Sequence, residues 1–194
     1  MSKIDNVQVY GLEESIVASH YPMATKIDNL EDLKFANEKD YKRALRLSAA
    51  PPGSGHDQFL TSIIVQFDLT FPLKCWVELQ RYHFIDFCSS MSTMHKLTSM
   101  DIKQSCNQYV DGLILDRLKE LIDNYIKEPT NETFYKMIYN VPSGFEYSAR
   151  LTTNYRQLKT IYWQRKNHRL PDWHIFCNWI ESLPHSEFIT QKEG

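Results

Sequence analysis

The sequence predicts a single α/β domain, and three observations support this fold class. The chain has 194 residues, of which 42% are hydrophobic, a length and composition that suit one continuous core. Residues 59–71 are rich in β-branched and bulky apolar side chains and end in polar alternation, as in a half-buried strand. Residues 104–127 repeat apolar side chains at helical spacing, as in a long amphipathic helix. We therefore treat residues 1–194 as one domain.

Helices are predicted on both sides of this strand. Residues 38–49 carry apolar side chains at near-helical spacing between lysines and arginines, which is typical of a surface helix. Prolines and glycines at 51–55 end it, because proline cannot continue the hydrogen-bond ladder. Pro72 favours a new helix directly after the strand, since proline at a first turn has no amide hydrogen to waste. We expect that helix to reach about Phe84.

The second half of the chain is predicted to be mainly helical. A short helix is expected at 132–139, a long one at 145–167, and a last one from Pro171 to about residue 183. Residues 26–37 are polar and indicate a loop or short edge structure. Residues 88–98 are short-chained and hydroxyl-rich, which predicts an irregular loop.

Charge and hydropathy exclude two classes of partner. The formal net charge is −2 and no run of Lys or Arg exceeds two residues, so we expect neither duplex nucleic acid nor a membrane surface as a partner. The first ten residues lack the pattern of a signal peptide, and no stretch of about 18 apolar residues occurs. These features predict a cytoplasmic protein. Free nucleotides remain compatible, because a few arginines can bind them.

The four cysteines predict neither a metal centre nor disulfides. Cys75, Cys88, Cys106 and Cys177 are far apart and form no CxxC pair, and a reducing compartment disfavours disulfides. We interpret them as small buried hydrophobic residues. Cys88 is the exception, because it lies in a polar, serine-rich segment.

Three distant segments carry polar residues where a purely structural element does not need them. His56 precedes the predicted strand, residues 81–83 read Arg-Tyr-His at the end of the next helix, and Asn154, Arg156 and Arg165 lie on the late helix. Guanidinium groups and free backbone amides both suit phosphate oxygens, so the helix end beside the serine-rich loop is a candidate anion site.

Each of these signals also has a structural interpretation. His56 fits an ordinary turn residue. Arg81 and His83 fit the C-terminal end of a helix, where the dipole favours positive charge. Arg165 fits an exposed side chain whose stem covers apolar surface.

Taken together, the order and spacing of these segments resemble the flavin-dependent thymidylate synthase (ThyX) family. That family shows a His-Glu turn before a strand, a proline-led helix ending in Arg-His-Arg, and a late helix with Asn-x-Arg and a second arginine nine residues on. Here His56-Asp57 resembles the turn, residues 81–83 the triplet, and residues 154–156 with Arg165 the late helix. The likeness covers roughly residues 38–183.

The resemblance implies a small, mainly antiparallel sheet packed on several long helices. It further implies FAD as cofactor, possible co-substrate roles for NADPH and methylenetetrahydrofolate, and methylation at C5 of dUMP or a related pyrimidine nucleotide. The family's cleft forms between subunits of a homotetramer, so the resemblance also implies a homo-oligomer.

The resemblance also assigns site residues. The flavin-side positions are His56, Arg81, His83, Asn154 and Arg156. The substrate-side positions are Arg81, Ser89, Ser90, Ser92 and Arg165. Arg165 would polarise the pyrimidine ring, and Ser92 stands beside the family's catalytic-loop serine.

Several family positions are replaced in this chain. The middle histidine of the triplet is Tyr82 and the last arginine is His83. The family also has a serine separated from the triplet by seven residues, a position that falls here on Met91, with Ser92 one step later. With one residue inserted, residues 82–84 match the triplet instead, which keeps the histidine and the serine but loses both arginines. Each lost charge-assisted partner typically removes about 1.5–3 kcal/mol of bonding.

Three interpretations of function stay open at this point. The chain is an enzyme with the family's flavin-dependent chemistry or a variant of it. Alternatively, it is a catalytically degenerate protein of the same fold that binds a nucleotide or a protein partner. Thirdly, it is an unrelated helical domain whose polar residues are caps and surface charges.

Overall fold

The computed structural model describes residues 2–27, 29–51 and 54–191, which form four strands and ten α-helices. The strands are β1 (Lys3–Tyr10), β2 (Ile64–Pro72), β3 (Asp86–Ser90) and β4 (Glu146–Asn154). The helices are α1 (Leu12–Ala18), α2 (Leu30–Leu33), α3 (Glu38–Ser48), α4 (Leu73–Leu79), α5 (Thr93–Lys96), α6 (Gly112–Lys127), α7 (Asn131–Ile138), α8 (Tyr155–Arg165), α9 (Pro171–Glu181) and α10 (Glu187–Thr190).

The strands make one antiparallel sheet in the order β1-β2-β4-β3. Its centre is the pair of β2 and β4, which are aligned without a register shift from Ile64 opposite Asn154 to Pro72 opposite Glu146. β1 and β3 pair outside them, and each of these two pairings contains a register shift. The single antiparallel sheet among helices confirms the α/β class.

The main core lies on one face of this sheet. Alternate side chains of β2, from Val65 to Phe71, are fully buried, and they pack against Tyr155 of α8 and Trp173 and Phe176 of α9. Each such side chain contributes about 1.5–3 kcal/mol through removal of its apolar surface from water. The core thus fixes α8 and α9 on the sheet.

A smaller cluster lies under the hairpin of α6 and α7. Leu118, Leu121, Ile122 and Met137 are buried there around Phe145. The predicted amphipathic helix is present, but it begins at Gly112 rather than at residue 104. The Asp111 side chain caps it by accepting a hydrogen bond from the Leu113 amide at 2.8 Å, and the residues before it form turns.

The predicted helix at 145–167 is wrong in its first half. Residues 146–154 are β4, whose backbone groups pair with β2 on one side and β3 on the other. Only from Tyr155 onward is the segment helical. Pairing with two strands distant in sequence decides the conformation, and local spacing does not report it.

Three further differences concern shorter elements. α4 ends at Leu79 rather than near Phe84, because Arg81 and Tyr82 form turns. The predicted irregular loop at 88–98 contains the end of β3, followed by α5. Residues 3–10, for which no element was predicted, form the edge strand β1.

The predicted burial of the cysteines is confirmed for three of the four. Cys75, Cys106 and Cys177 are buried, and Cys88 is exposed on β3. Burial raises the pKa of the three buried thiols, to about 12 for Cys75 and about 11 for the other two. Within the described residues, no helix has the length and hydropathy needed to cross a membrane.

Candidate functional site

A cleft of about 790 Å³ lies between α8 and the turn that precedes β2. α8 contributes Arg156, Lys159, Trp163 and Gln164, and the turn contributes Asp57. The cleft therefore combines two cations, a carboxylate, an amide and an aromatic ring. Such a set suits a ligand with a planar ring and an anionic group.

The charges in this cleft form one cluster around a buried carboxylate. The Asp57 side chain is only 6% exposed, with Arg156 Nε 3.2 Å from Oδ1 and Lys159 Nζ 3.6 Å from Oδ2. Lys159 Nζ also donates to the Ser48 carbonyl at 2.7 Å, and Arg156 Nη1 donates to Gln58 Oε1 at 2.8 Å. Two cations against one carboxylate leave a net positive charge, which favours an anionic ligand.

Arg156 can contact such a ligand. Its side chain is 34% exposed, with Nε in an ion pair with Asp57 and Nη1 in a hydrogen bond to Gln58. None of the described residues accepts a hydrogen bond from Nη2. A guanidinium with a free terminal nitrogen can still donate to a phosphate oxygen.

Asn154 lines the same cleft, but it is not part of the helix. It is the last residue of β4 and the N-cap of α8, where its side-chain oxygen accepts a hydrogen bond from the Gln157 amide at 2.9 Å. The prediction that Asn154 lies on the late helix is therefore wrong. Arg156 and Arg165 are nine residues apart, and at about 100° per residue this puts them on opposite faces of α8.

Arg165 is held on the far face of α8 in a network of its own. Its side chain is 13% exposed, with Nη1 donating to Glu78 Oε2 at 2.8 Å and Nε donating to the Tyr82 hydroxyl at 2.9 Å. The guanidinium carbon lies 4.6 Å from the centre of the Trp173 ring, a cation–π contact. The cation is thus paired, hydrogen-bonded and stacked within one chain.

Glu78 is the anchor of that network. Its Oε2 accepts from Arg165 and from Trp173 Nε1 at 3.0 Å, and His168 Nε2 lies 3.3 Å away. The Leu170 amide donates to His168 Nδ1 at 3.2 Å, which assigns the ring proton to Nε2. Two hydrogen bonds and a nearby imidazole nitrogen around one oxygen hold this mostly buried carboxylate in place.

The serines at the predicted substrate positions lie elsewhere on the sheet. Ser89 and Ser90, on β3, line a shallow cleft of about 360 Å³ with Asp68 and Arg150. The hydrogen bond from Asn6, helped by Arg150 at 3.2 Å, lowers the pKa of the Asp68 carboxyl below its usual value. This ion pair balances the charge of the shallow cleft.

The remaining predicted residues do not join either cleft in the single chain. Ser92 is half-buried at the start of α5, without a capping bond from its side chain. His56, Arg81 and His83 are exposed, and their side chains make no hydrogen bond or ion pair with any residue that the structure describes. The structure thus groups Asn154 with Arg156 and Ser89 with Ser90, and leaves Arg165 in a third environment.

Several residues of these environments were not identified from the sequence. Lys159 is three residues after Arg156 and therefore on the same helical face, a signal that was available. Glu78 and Trp173 carry no such signal. Glu78 is 87 residues away from the Arg165 that it binds, and Trp173 contacts Arg165 only because α9 packs beside α8.

No protein-family model matches the sequence, and no curated protein matches it either. The structure nevertheless defines the class: the chain has the fold of the flavin-dependent thymidylate synthases. This confirms the predicted resemblance at the level of the fold, with a sequence identity that fits a divergent chain.

The similar structures cover nearly the whole chain. Helicobacter pylori ThyX complexed with FAD and dUMP has a TM-score of 0.76 and 14% identity, over 97% of this chain and 98% of that one. A second H. pylori ThyX structure with FAD and dUMP has a TM-score of 0.75, 13% identity and 98% coverage of both chains. The UMP/dUMP methylase PolB from Streptomyces cacaoi, bound with 5-Br dUMP, has a TM-score of 0.67 and 13% identity, over 100% of this chain and 96% of that one.

Proposed function

We propose that this chain is a ThyX-like, flavin-dependent enzyme that modifies a pyrimidine nucleotide, by C5 methylation of dUMP or a related nucleotide. The observation that carries the proposal is the cationic cleft of Arg156 and Lys159, in a fold whose solved examples hold FAD and dUMP. Net positive charge beside an aromatic wall suits a ligand that combines phosphate and planar rings.

The residues of this cleft fit a flavin nucleotide chemically. Arg156 would donate to a phosphate oxygen through Nη2, and the amide nitrogen of Asn154 is not used by its capping bond. The rings of Trp163 and Phe84 provide apolar walls for a planar group. Reduced FAD would supply the hydride, and NADPH and methylenetetrahydrofolate are proposed as its co-substrates.

FAD binding is tested by a fluorescence titration of the purified protein. We expect saturable quenching of FAD in the wild type and at least about tenfold weaker binding in Arg156→Ala, the loss of one charge-assisted bond. The control is Arg117→Ala, an exposed arginine of α6 distant from the cleft. Wild-type protein that leaves FAD fluorescence unchanged at every protein concentration would contradict the flavin proposal.

The pyrimidine nucleotide is tested separately from the flavin. Titration of dUMP, UMP and their unphosphorylated nucleosides should stabilise the protein only with the phosphorylated compounds. Product analysis of dUMP with FAD, NADPH and methylenetetrahydrofolate then reports turnover. We propose that the protein forms a homotetramer and that it is located in the cytoplasm. Light scattering at increasing protein concentration measures the oligomeric state.

One observation favours the second candidate, a nucleotide-binding protein without catalysis. Arg165, the proposed ring-polarising residue, has its charge balanced by Glu78 at 2.8 Å. A neutralised guanidinium stabilises developing charge on a substrate less than a free one does. Nucleotide-dependent stabilisation without any product would decide for this candidate, and product formation would decide against it.

A further inference from the structure

One face of α8 presents its groups to the cleft in a fixed order. Arg156, Lys159 and Trp163 all line the cleft. At about 100° per residue, spacings of three and seven residues return to nearly the same direction, so these side chains form one stripe. Along the helix axis, Trp163 lies about 10 Å from Arg156, at a rise of about 1.5 Å per residue. The stripe therefore has cations at one end and an aromatic ring at the other.

The indole of Trp163 is held in one orientation. Its Nε1 donates to the Ile189 carbonyl of α10 at 3.1 Å, and Lys166 Nζ lies 3.6 Å from its ring centre, a cation–π contact. The Tyr162 ring lies 5.5 Å away and nearly perpendicular to it. Lys166 is not among the residues that line the cleft, so the cleft meets the indole on a surface that Lys166 leaves uncovered. A ring held in this way can stack on a ligand at little cost in conformational entropy.

Phe84, a second aromatic residue of the cleft, is held less firmly. It is 66% exposed and lies in the connection between α4 and β3, whereas Trp163 packs against the main core. Ordering an exposed side chain on ligand binding offsets part of what its contact contributes. Trp163 is therefore the better stacking surface of the two.

The length of the stripe selects among planar ligands. A flavin carries its phosphate on an open ribityl chain, which is longer than the closed ribose between a base and its 5′-phosphate. A separation of about 10 Å between the ring site and Arg156 suits the longer linker. The oxidised isoalloxazine ring of a flavin is also electron-poor, and it stacks favourably on an electron-rich indole.

We propose that Trp163 is the stacking residue for the isoalloxazine ring of a bound flavin, with the phosphate of the ribityl chain at Arg156. This inference rests on the proposed flavin function and adds the direction in which the flavin lies along α8. Gln164 lines the cleft beside Trp163, and its Oε1 accepts a hydrogen bond from the Tyr82 hydroxyl at 3.0 Å. Its Nε2 is then a donor that suits a carbonyl group of this ring.

The test is a set of calorimetric titrations of the whole chain with FAD, FMN and ADP. Trp163→Leu removes the stacking surface, and Trp163→Phe keeps an aromatic face without the indole nitrogen. The matched control is Trp179→Leu, the same change at a partly buried tryptophan of α9 that packs 4.5 Å from Phe67 and does not line the cleft. Circular dichroism verifies that each variant is folded at the temperature of the titration.

We expect Trp163→Leu to raise the Kd for FAD and for FMN about tenfold, as for the loss of one stacked ring. Trp163→Phe should recover most of this affinity, and Trp179→Leu should leave each Kd within about twofold even where its Tm falls. The Kd for ADP should stay within about twofold in all variants. Wild-type affinity of Trp163→Leu for FAD and FMN overturns the inference. An equal loss for ADP also overturns it, because the ring site would then bind a purine.

An absorption spectrum of the bound flavin reports the stacking itself, which a merely structural role would not affect. A flavin stacked on an indole gains a shoulder at long wavelength. We expect this shoulder in the wild type and in Trp179→Leu, a weaker one in Trp163→Phe, and none in Trp163→Leu. A shoulder that persists in Trp163→Leu contradicts the inference.

A double-variant cycle tests whether ring and phosphate are bound at separate ends of the stripe. The losses of FMN affinity in Trp163→Leu and Arg156→Ala should add in the double variant, because the two side chains contact different parts of the ligand. Losses that do not add contradict the inference. Wild-type protein that binds FAD with no dependence on Trp163 overturns the inference and leaves the flavin proposal intact. Wild-type protein that binds no flavin overturns both.

Discussion

The two arginines of α8 differ in almost every physical respect, although they are nine residues apart on one helix. Arg156 is about one-third exposed and lies in an open cleft beside a second cation, Lys159. Arg165 is mostly buried, paired with Glu78 and stacked on Trp173. One side of the helix carries unbalanced positive charge, and the other side carries a charge that the protein has already neutralised.

The spacing of a motif and the electrostatic state of its residues are therefore separate properties. The Asn-x-Arg pattern and the following arginine keep the spacing that the resembling family shows. The surroundings then decide that Arg156 is available to an anion and that Arg165 is paired within the chain. Four measurements test this contrast between the two arginines.

The largest expected effect concerns the side of α8 that carries Arg165. The reactivity of Cys75 in α4 measures how well this side is closed to solvent. Burial, with smaller contributions from Asp172 and Glu78, raises the pKa of Cys75 to about 12. At pH 8 its thiolate fraction is then on the order of one in ten thousand. A thiol reagent should therefore label Cys88 within seconds to minutes and leave Cys75 unlabelled, as shown by mass spectrometry of digested protein. Labelling of Cys75 at the rate of Cys88 would mean that the Arg165 side is open.

The second prediction compares the two arginines directly through stability. Arg165→Ala removes the cation closest to Glu78, whose side chain is 15% exposed and whose other cation, Lys74, lies 3.8 Å away, so the free energy of unfolding should fall by about 3 kcal/mol. Urea denaturation measures this loss, with Arg117→Ala as an exposed control expected within about 0.5 kcal/mol. The double variant with Glu78→Gln should regain part of the loss, because it removes the orphaned charge. An Arg165→Ala variant as stable as the control would contradict the described network.

The third prediction uses pH and a residue between the two arginines. Tyr162 of α8 donates to Glu181 at 2.8 Å, and burial together with this bond raises its pKa to about 12. Because the pKa is raised in the folded protein, the stabilisation is complete below the unfolded pKa near 10. It is lost as the pH rises through 12, by roughly 2.7 kcal/mol, which is two pKa units at about 1.36 kcal/mol each. Tyr162→Phe should show a shallower loss of stability between pH 10 and 12 in chemical denaturation. Equal slopes for both proteins would exclude this contribution.

The smallest effect is expected for Arg156→Ala. Asp57 retains Lys159 as a partner and the Arg156 side chain is partly solvated, so the loss should be about 1 kcal/mol or less. This loss of unfolding free energy should become smaller in 1 M salt, where the Debye length is about 3 Å. The loss caused by Arg165→Ala should be unchanged by salt. Denaturation at two salt concentrations measures both. A salt-independent loss at Arg156 would mean that the cleft is as closed as the other side.

The sequence predicted the elements whose burial pattern is local. β2 alternates apolar and polar side chains, α3 and α7 show helical spacing with polar caps, and α9 begins at Pro171; all four are present. The pattern that specifies each of these elements lies within about three helical turns or within the length of one strand. Periodicity and capping chemistry therefore suffice to find them.

The elements that sequence reasoning missed depend on distant partners. β1 and β3 are edge strands with largely exposed side chains, so little in their own composition distinguishes them from loops. β4 lies between two strands, and its nine residues become a strand only because β2 is there to pair with them. The same reason hid the site: Glu78, Tyr82 and Trp173 meet Arg165 only after α4 and α9 have packed on the sheet.

The junction of β4 and α8 restricts how this protein can change. The last ladder residue, Asn154, is also the helix cap, and the next amide, of Tyr155, still donates to the Ile63 carbonyl at 3.1 Å. No loop separates β4 from α8, so there are no flexible linking residues that could accommodate a change in chain length. One inserted residue after Asn154 would turn α8 by about 100° and swing Arg156 out of its cleft and Arg165 away from Trp173 together. Side chains here are open to substitution, but the length of this stretch is not.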